Sequence, residues 1–162
     1  MRYRWMASPF GQLFLAGDSK GLRWLQFSCS QRPLKVEASW VRDDSAFGDV
    51  ITQLEEYFAG KRRAFDVELA PSGPPFQQRV WELLRTIPYA ETVSYGELAR
   101  RFGNPAAARA VGQANRRNPL LILIPCHRVI GASGRLTGFS AGLDIKSRLL
   151  ALERDSCLRR LE

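Results

Sequence analysis

The sequence predicts an α+β fold, in which a small strand-rich N-terminal domain with one helix precedes a mostly helical C-terminal domain. Short runs of β-formers separated by turn residues fill the first part of the chain. Apolar residues at helical spacing fill the second part. Between them lies the segment PSGPP, residues 71–75, where proline and glycine interrupt any regular element. We place the boundary there, which gives domains at residues 1–72 and 73–162.

The N-terminal strands are predicted from three runs, RYRWMAS, GQLFLAG and GLRWLQF. Turn residues separate them, Pro-Phe-Gly in one case and Asp-Ser-Lys-Gly in the other, so an antiparallel meander is expected. The following stretch, DVITQLEEYFAGK, spaces its apolar residues at helical intervals. Asp49 is the candidate N-cap of this helix, and Gly60 is the candidate stop.

The C-terminal domain begins with FQQRVWELLRTI, a run with one apolar helical face. The next helix, SYGELARRFG, opens with Ser94 and Glu97 at the spacing of a capping box and ends at Gly103. After a short turn, AAARAVGQANRR continues as a second helix. Two short helices joined by a glycine-containing turn are typical of a helix-turn-helix, although core helix pairs have the same form.

The second helix of this pair has little side-chain bulk. Its small residues are Ala107, Ala108, Ala110, Gly112 and Ala114. Such a helix can approach a nucleic-acid backbone or a minor groove closely, and it offers few side chains that read bases in the major groove. Close packing against a neighbouring helix is the alternative explanation.

Positive charge is concentrated in the second part of the chain. The net charge of the protein is +8, of which +1 belongs to residues 1–72 and +7 to residues 73–162. No acidic residue occurs from Leu98 to Leu143, whereas arginine occurs at positions 100, 101, 109, 116, 117, 128 and 135. A solvated surface normally mixes both signs, so this stretch favours a polyanionic partner.

Several classes of function are disfavoured by the composition. Three widely spaced cysteines, Cys29, Cys126 and Cys157, argue against a disulfide framework. A single histidine and no CxxC motif argue against a zinc site, so we expect no metal and no cofactor. No apolar run is long enough to span a membrane, and the N-terminus lacks the apolar core of a signal peptide. A cytoplasmic location is therefore expected.

The segment IPCHRVIG, residues 124–131, places the sole histidine directly after Cys126. The aliphatic run before it, Leu121 to Ile124, predicts a buried strand or inner segment that holds the following turn rigidly. A cysteine beside apolar residues is commonly an inert core residue. However, the cationic surroundings, including Arg128, predict a lowered pKa and a nucleophilic thiolate.

In an extended chain, adjacent side chains point to opposite sides, so His127 is expected to reach the thiol of Cys126 through a water molecule. A carboxylate is the usual group that orients such a histidine. The sequence offers four acids downstream, Asp144, Glu153, Asp155 and Glu162, and does not choose among them.

The motifs VSYGELA, RAVG, NP and PCHRV occur together and in order between Phe76 and Glu153. This segment resembles the O6-alkylguanine-DNA alkyltransferases, the methylated-DNA–protein-cysteine methyltransferases. The resemblance implies DNA repair by transfer of an alkyl group from O6-alkylguanine, and also from O4-alkylthymine, to the protein's own cysteine. By this resemblance, the transfer is expected to happen once per molecule, to need no cofactor, and to follow extrusion of the nucleotide from double-stranded DNA bound through its minor groove. It further implies a nucleoid-associated monomer that can cluster along DNA.

The resemblance also assigns catalytic roles. Cys126 matches the alkyl acceptor, and His127 matches the histidine that activates it through a water. Glu153 matches the acid that orients the histidine. Asn118 matches an asparagine that holds the active-site turn against the recognition helix.

Further roles by resemblance concern the DNA and the guanine. Arg109 matches the arginine finger that replaces the extruded nucleotide, on a helix whose Ala107, Ala108, Ala110 and Gly112 permit close approach. Tyr95 matches the tyrosine that assists nucleotide rotation and hydrogen-bonds the guanine. Val129, Phe139 and Ser140 are expected to line the guanine pocket.

The chain departs from the common family pattern at three positions. Phe139 stands where tyrosine is common, and Ala141 and Ala90 stand where glycine is common. The resemblance therefore leaves the size of the pocket and the preferred adduct open. Some members bind zinc in the N-terminal domain, but this chain has only Cys29 there, so no zinc is expected. Related proteins with tryptophan in place of the cysteine only bind DNA, and Cys126 argues against that class.

Two other functions fit part of the sequence. A cysteine hydrolase also needs a cysteine, a histidine and an acid, but it gives no reason for the cationic helix pair. A DNA-binding regulator explains that helix pair but not the adjacent Cys126 and His127.

Overall fold

The structure is a computed structural model, and it describes residues 1–30 and 34–159. The predicted α+β class is confirmed: a strand-rich N-terminal part is followed by a helical C-terminal part. The strands are β1 (Arg2–Ser8), β2 (Gly11–Asp18), β3 (Gly21–Phe27), β4 (Val41–Arg42), β5 (Val93–Ser94) and β6 (Val129–Ile130). The helices are α1 (Gly48–Phe58), α2 (Pro75–Leu84), α3 (Tyr95–Phe102), α4 (Ala108–Arg116) and α5 (Leu143–Arg159), with short 3₁₀ turns at Pro105–Ala107 and Cys126–Arg128.

The first three strands form the expected antiparallel meander, in a sheet of order β3-β2-β1-β4. Strand β4 joins β1 in parallel. Side chains alternate along β2, so Leu13 and Leu15 enter one apolar layer while Phe14 packs on the opposite face. Phe14 contacts the rings of Tyr3 and Trp5 there. The sheet is thus covered on both faces.

Helix α1 has the predicted apolar face but not the predicted cap. Val50, Leu54 and Tyr57 are buried. The N-cap position is Phe47, in a left-handed conformation with φ of 61°, and no side chain caps the helix. Asp49 lies inside the first turn instead, where its charge favours the positive end of the helix dipole.

Helices α3 and α4 form the predicted helix-turn-helix, and local sequence signals fix both ends of α3. The Ser94 hydroxyl accepts a hydrogen bond from the backbone N–H of Glu97 at 3.0 Å. Gly103 ends the helix with φ of 97°, a conformation that glycine adopts without strain. Helix α2 packs against α4, where the Trp81 indole N–H donates to the Ala114 carbonyl at 2.9 Å.

The edge strand β3 ties the N-terminal part to the segment that precedes Cys126. The backbone N–H of Leu25 donates to Pro119, and the N–H of Leu121 donates to Leu25. Both parts contribute to one continuous cluster of buried apolar residues. The domain boundary at residues 72 and 73 stays a prediction. None of the helices in the described ranges is long and apolar enough to cross a membrane.

Candidate active site at Cys126

Cys126 lies on a buried 3₁₀ turn at the centre of the helical part. Its side chain is 2% exposed, and the turn comprises Cys126, His127 and Arg128. The extended conformation expected from the sequence is therefore wrong. No hydrogen bond joins the His127 ring to the Cys126 thiol in the described structure, and the expected route through a water stays a prediction.

The segment before Cys126 is a buried turn and not a strand. Of the two forms predicted for Leu121 to Ile124, the inner segment is correct. The Asn118 side chain holds this turn, because its amide N–H donates to the Ile124 carbonyl at 2.7 Å and its oxygen accepts from Leu120 at 2.9 Å. Ile122 has φ of 73°, a strained value for a β-branched residue, and such strain persists only where the surrounding structure fixes it.

Asn118 also links the turn to other parts of the fold. It follows α4 directly, and its own carbonyl accepts a hydrogen bond from the Gln26 side chain on β3. Asn115, on α4, lies with its amide nitrogen 3.5 Å from the Cys126 carbonyl. Helix α4, strand β3 and the Asn118 side chain therefore fix the backbone that carries the thiol.

Behind Cys126, the carboxylate of Glu153 receives five hydrogen bonds in a fully buried position. One oxygen, Oε1, accepts from the Ala90 backbone N–H at 3.1 Å and from Arg128 Nε at 2.8 Å. The other, Oε2, accepts from Tyr57 Oη at 2.7 Å, from Arg128 Nη2 at 3.1 Å, and lies 2.6 Å from His127 Nε2. The arrangement satisfies a charge that would otherwise be costly to bury.

Glu153, one of four acids that the residue pattern left open and the one that the resemblance selected, is thus the acid that contacts His127. Asp144 and Asp155 are exposed, and they pair with neighbouring arginines on the surface of α5. Glu162, the fourth candidate, lies outside the described residues. Helical spacing explains the selection, because Ile145, Leu149 and Glu153 recur every four residues on the buried face of α5.

The contact with Glu153 fixes the tautomer of His127. An ionised carboxylate only accepts hydrogen bonds, so the proton of the neutral ring resides on Nε2. Nδ1 is then an unprotonated acceptor. It is buried and has no hydrogen-bond partner among the described residues. The ring is therefore held with a free lone pair, which is what a general base requires.

Burial and charge set the protonation states of this pair. Burial lowers the pKa of His127, and the nearby Glu153 offsets only part of that effect. Burial disfavours the ionised form of Glu153, but His127 and Arg128 outweigh it and hold the pKa of that carboxyl well below its usual range. The resting site therefore contains a neutral imidazole and a carboxylate.

The expectation of a lowered pKa at Cys126 is wrong. Burial raises the pKa of the thiol to about 11, and the Asn118 amide and the Lys146 ammonium offset this only in part. Arg128 does not help, because its guanidinium points away to Glu153 and to the Ile87 carbonyl. The resting thiol is therefore protonated at neutral pH, and its reaction needs a base.

Lys146 is a buried cation that the sequence reasoning missed. Its ammonium donates to the Val129 carbonyl at 2.6 Å and to the Thr137 carbonyl at 2.7 Å. Burial lowers the pKa of Lys146 to about 8. The only signal for it in the sequence is its position on α5, one helical turn before the buried Leu149. That spacing does not distinguish a buried lysine from a solvated one.

A cleft of about 480 Å³ opens beside α4 and the loop before α5. It is lined by Arg116, Arg117, Gly138, Phe139, Ser140, Gly142 and Leu143. The Arg116 guanidinium lies against Gly138, and a Cβ added at this position would lie 2.6 Å from Arg116 Nε, so the arginine side chain would have to move. Of the predicted pocket residues, Phe139 and Ser140 line this cleft.

Tyr95 and Val129 lie close to the same loop. The Tyr95 hydroxyl donates to the Thr137 carbonyl at 3.1 Å, so it shares that acceptor with Lys146. Gly112 on α4 faces the Tyr95 ring, and an added Cβ would lie 3.6 Å from it. The structure therefore places Tyr95 between α4 and the loop that carries Phe139 and Ser140.

The outer surface of α4 carries the predicted DNA-contacting side chains. Arg109 and Ala110 are exposed, and Ala107 and Ala108 are half-buried at the start of the helix. Arg109 makes no salt bridge within the described residues. No group of histidine, cysteine and acidic side chains that suits a metal ion occurs in residues 1–30 and 34–159.

Comparison with known proteins decides the family. Residues 75–155 match the model of the DNA-binding domain of 6-O-methylguanine DNA methyltransferases. Residues 1–71 match the model of the ribonuclease-like domain of the same proteins. The chain belongs to the 6-O-methylguanine DNA methyltransferase family.

Individual members of the family align over nearly the whole chain. The methylated-DNA–protein-cysteine methyltransferase of Methanosarcina acetivorans is 52% identical and covers 94% of this chain and 98% of its own length. That of Mycobacterium leprae is 50% identical, over 98% and 95%. The crystal structure of Mycobacterium tuberculosis OGT in complex with DNA has a TM-score of 0.91 and 49% identity, over 96% of this chain and 94% of the other.

Two departures from the 6-O-methylguanine DNA methyltransferase pattern lie in different places. Ala141 is buried beside Ser140, and its carbonyl lies 3.6 Å from the Cys29 sulfur. Ala90 is not part of the cleft. It has φ of 64°, and its N–H donates to Glu153, so it lies at the Glu153 carboxylate and not in the lining of the cleft.

Proposed function

We propose that this member of the family repairs DNA by accepting the alkyl group of O6-alkylguanine on the Cys126 sulfur, once per molecule. One observation carries the assignment to this cysteine. The neighbouring His127 is fixed by Glu153 with Nδ1 unprotonated, at a buried thiol that needs a base. Neither of the other cysteines has a histidine beside it in the sequence.

The proposed step is a displacement at the alkyl carbon. His127 Nδ1 takes the proton of the Cys126 thiol through a water, and the thiolate attacks the alkyl carbon. The S–C bond forms as the C–O6 bond breaks, and its electron pair stays with the guanine. The guanine gains one proton, so the loss of the thiol proton balances the reaction. No cofactor takes part. The thioether that forms on Cys126 cannot accept a second alkyl group, so the protein reacts once.

DNA is the partner, and the nucleotide is proposed to leave the duplex before it reacts. A thiol that is 2% exposed cannot reach an atom inside stacked base pairs. The small residues of α4 suit approach to the minor groove, and Arg109 is proposed to fill the space of the extruded nucleotide. The flipped base is proposed to enter the cleft lined by Phe139 and Ser140, with Tyr95 and the Val129 backbone at its edge.

The second substrate, the oligomeric state on DNA and the location of the protein are proposals as well. O4-alkylthymine is a proposed second substrate. The protein is proposed to bind as a monomer that clusters along double-stranded DNA. Its proposed location is the cytoplasm, at the nucleoid.

Mass spectrometry after incubation with an O6-methylguanine oligonucleotide tests the proposed function. The intact protein is expected to gain one methyl group, and peptide mapping is expected to place it on Cys126. Cys126→Ala should abolish the gain and still bind DNA. Methylation mainly at Cys29 or Cys157, or an unchanged mass with repeated turnover as in a cysteine hydrolase, would contradict the proposal.

A further inference from the structure

A side chain of the N-terminal part reaches the catalytic carboxylate. Tyr57 lies on α1, and its hydroxyl donates to Glu153 Oε2 at 2.7 Å, across 96 positions of the sequence. Of the other side chains that bind this carboxylate, His127 and Arg128 come from the turn that carries Cys126. Among the described residues up to 71, Tyr57 is thus the one whose side chain binds this carboxylate.

The surroundings of Tyr57 fix the direction of its hydroxyl. The side chain is fully buried. Its ring lies 5.5 Å from the ring of Phe65 and meets the ring of Tyr89 edge-on at 6.3 Å. A phenol held on several sides cannot turn to another acceptor, so the hydrogen bond to Glu153 is built into the packing.

The hydroxyl binds the same oxygen as the catalytic histidine. Tyr57 Oη and His127 Nε2 both contact Oε2 of Glu153, at 2.7 and 2.6 Å. Arg128 Nη2 is the third donor to that oxygen, at 3.1 Å. The Tyr57 hydroxyl adds to these contacts, restricts the rotation of the carboxylate and withdraws negative charge from the side that faces His127. Orientation and basicity of the imidazole therefore both depend on Tyr57.

We propose that Tyr57 is a positioning residue for alkyl transfer, which holds the Glu153 carboxylate in register with His127 and so makes the N-terminal part a component of the reaction centre. The inference rests on the proposed function. It assigns to the ribonuclease-like part a chemical role besides support of the fold.

Several charged and titratable groups surround Tyr57 and Glu153. Glu153 faces His127, Arg128 and Tyr57, and Tyr89 lies beside them with the Arg63 guanidinium over its ring. On the other side of the turn, Lys146 lies near Cys126 and adds positive charge to the environment of His127. When the Tyr57 hydroxyl is removed, none of these groups supplies a replacement donor to Oε2, so the carboxylate attracts a proton on His127 more strongly.

Tyr57→Phe is the direct test, because it keeps the ring and removes only the donor. We expect single-turnover alkyl transfer at pH 8 to slow about tenfold, the lower range for loss of a hydrogen bond to a charged group. The pKa of the imidazole is expected to rise, and the sole histidine of the chain gives a single NMR titration curve for it. DNA binding should be unchanged.

Tyr89→Phe is the matched control, since its ring touches that of Tyr57 while its hydroxyl makes no bond to Glu153. It should leave both the rate and the histidine titration unchanged. In a Glu153→Gln background, Tyr57→Phe should have no further effect on the rate, because the two residues act as one unit. A folded Tyr57→Phe with normal rate and titration, or an equal loss in both backgrounds, would overturn the inference.

Two further measurements distinguish a failure of this inference from misfolding of the variant and from a failure of the proposed function. If Tyr57→Phe does not fold, 3-fluorotyrosine at position 57 keeps the packing and strengthens the donor, and it should lower the pKa of His127; an unchanged titration then contradicts the inference. The wild-type protein serves as the reference for the proposed function. Failure of the wild type to transfer alkyl groups to Cys126 would refute that function, whereas normal transfer in Tyr57→Phe refutes only the role of Tyr57.

Discussion

His127 Nε2 and Glu153 Oε2 lie 2.6 Å apart, and both side chains are fully buried. The contact joins the turn that carries the thiol to the buried face of α5. It leaves Nδ1 of the imidazole as the only ring atom able to accept a proton. For the proposed reaction at the buried Cys126, the structure therefore favours an oriented base over a thiolate formed in advance.

Replacement of Glu153 by glutamine should slow alkyl transfer. The amide provides less negative charge for the imidazolium that forms during the reaction, and it no longer fixes the Nε2 proton. We expect a loss of about a hundredfold in the single-turnover rate, the lower range for general-base catalysis. Asp155→Asn, an exposed acid on the same helix, is the control and should react normally. An unchanged rate in folded Glu153→Gln would contradict this role.

The same pair should make the protein less stable in acid. The pKa of Glu153 is lowered in the folded state, so below about pH 4.5, its usual value, the unfolded chain takes up a proton that the folded protein does not. The pKa of His127 is lowered as well, so the unfolded chain also gains a proton below about pH 6.5. Both shifts make the free energy of unfolding decrease as pH falls.

Urea denaturation between pH 7 and pH 3 measures this effect. The wild type is expected to lose stability in two ranges, below about pH 6.5 and again below about pH 4.5. Glu153→Gln removes the second contribution, so its stability should depend less steeply on pH in the lower range. Identical slopes for both proteins below pH 4.5 would show that Glu153 does not carry the predicted charge.

Arg109→Ala should slow repair of duplex DNA far more than transfer from free O6-benzylguanine. The free base needs no extrusion, whereas repair of the duplex is proposed to need the Arg109 side chain to fill the space that the nucleotide leaves. We expect a loss of about a hundredfold on the duplex, which corresponds to an unstacking cost of a few kcal/mol. The loss should shrink for a mispaired or single-stranded lesion. Equal losses on duplex, single strand and free base would instead indicate a role in folding or in the active site.

DNA binding should be mainly electrostatic and weakly dependent on sequence. The acid-free stretch from Leu98 to Leu143 and the small residues of α4 favour contacts to phosphates. Log affinity should fall linearly with log salt, and Arg117→Ala should reduce the slope by about 1 if it removes one phosphate contact. Binding that is insensitive to salt, or strong preference for one undamaged sequence, would contradict this mode.

Ala90→Gly should stabilise the protein. Ala90 adopts φ of 64°, which costs an L-residue about 1 kcal/mol and costs glycine nothing. The greater freedom of glycine in the unfolded chain offsets part of this gain, so we expect an increase of about 0.5 kcal/mol in the free energy of unfolding. Ala59→Gly, at φ of −80°, is the control and should be destabilising. A less stable Ala90→Gly would refute the assignment of strain.

Local signals in the sequence were enough to predict most of the secondary structure. The three strands alternate in pattern and are separated by turn residues, and α3 carries its cap at Ser94 and its stop at Gly103. These features depend on interactions between residues that are close in the chain, so short stretches of sequence are enough to predict them. The predicted N-cap of α1 at Asp49 was wrong, because the N-cap residue is Phe47 in a left-handed conformation. No local feature of the sequence indicated that conformation.

The sequence by itself also determined which cysteine to consider, because Cys126 is the one that adjoins the single histidine. The residue pattern left four acids open as the partner of His127, and only the resemblance selected Glu153. Tyr57 was visible only as an apolar position on α1. Both assignments depend on contacts between segments far apart in the chain, 26 residues for His127 with Glu153 and 96 for Tyr57 with Glu153. The pKa of Cys126 was decided by the tertiary structure alone. Nearby cations in the sequence predicted a lower pKa, but the loss of solvent around a fully packed thiol outweighs them.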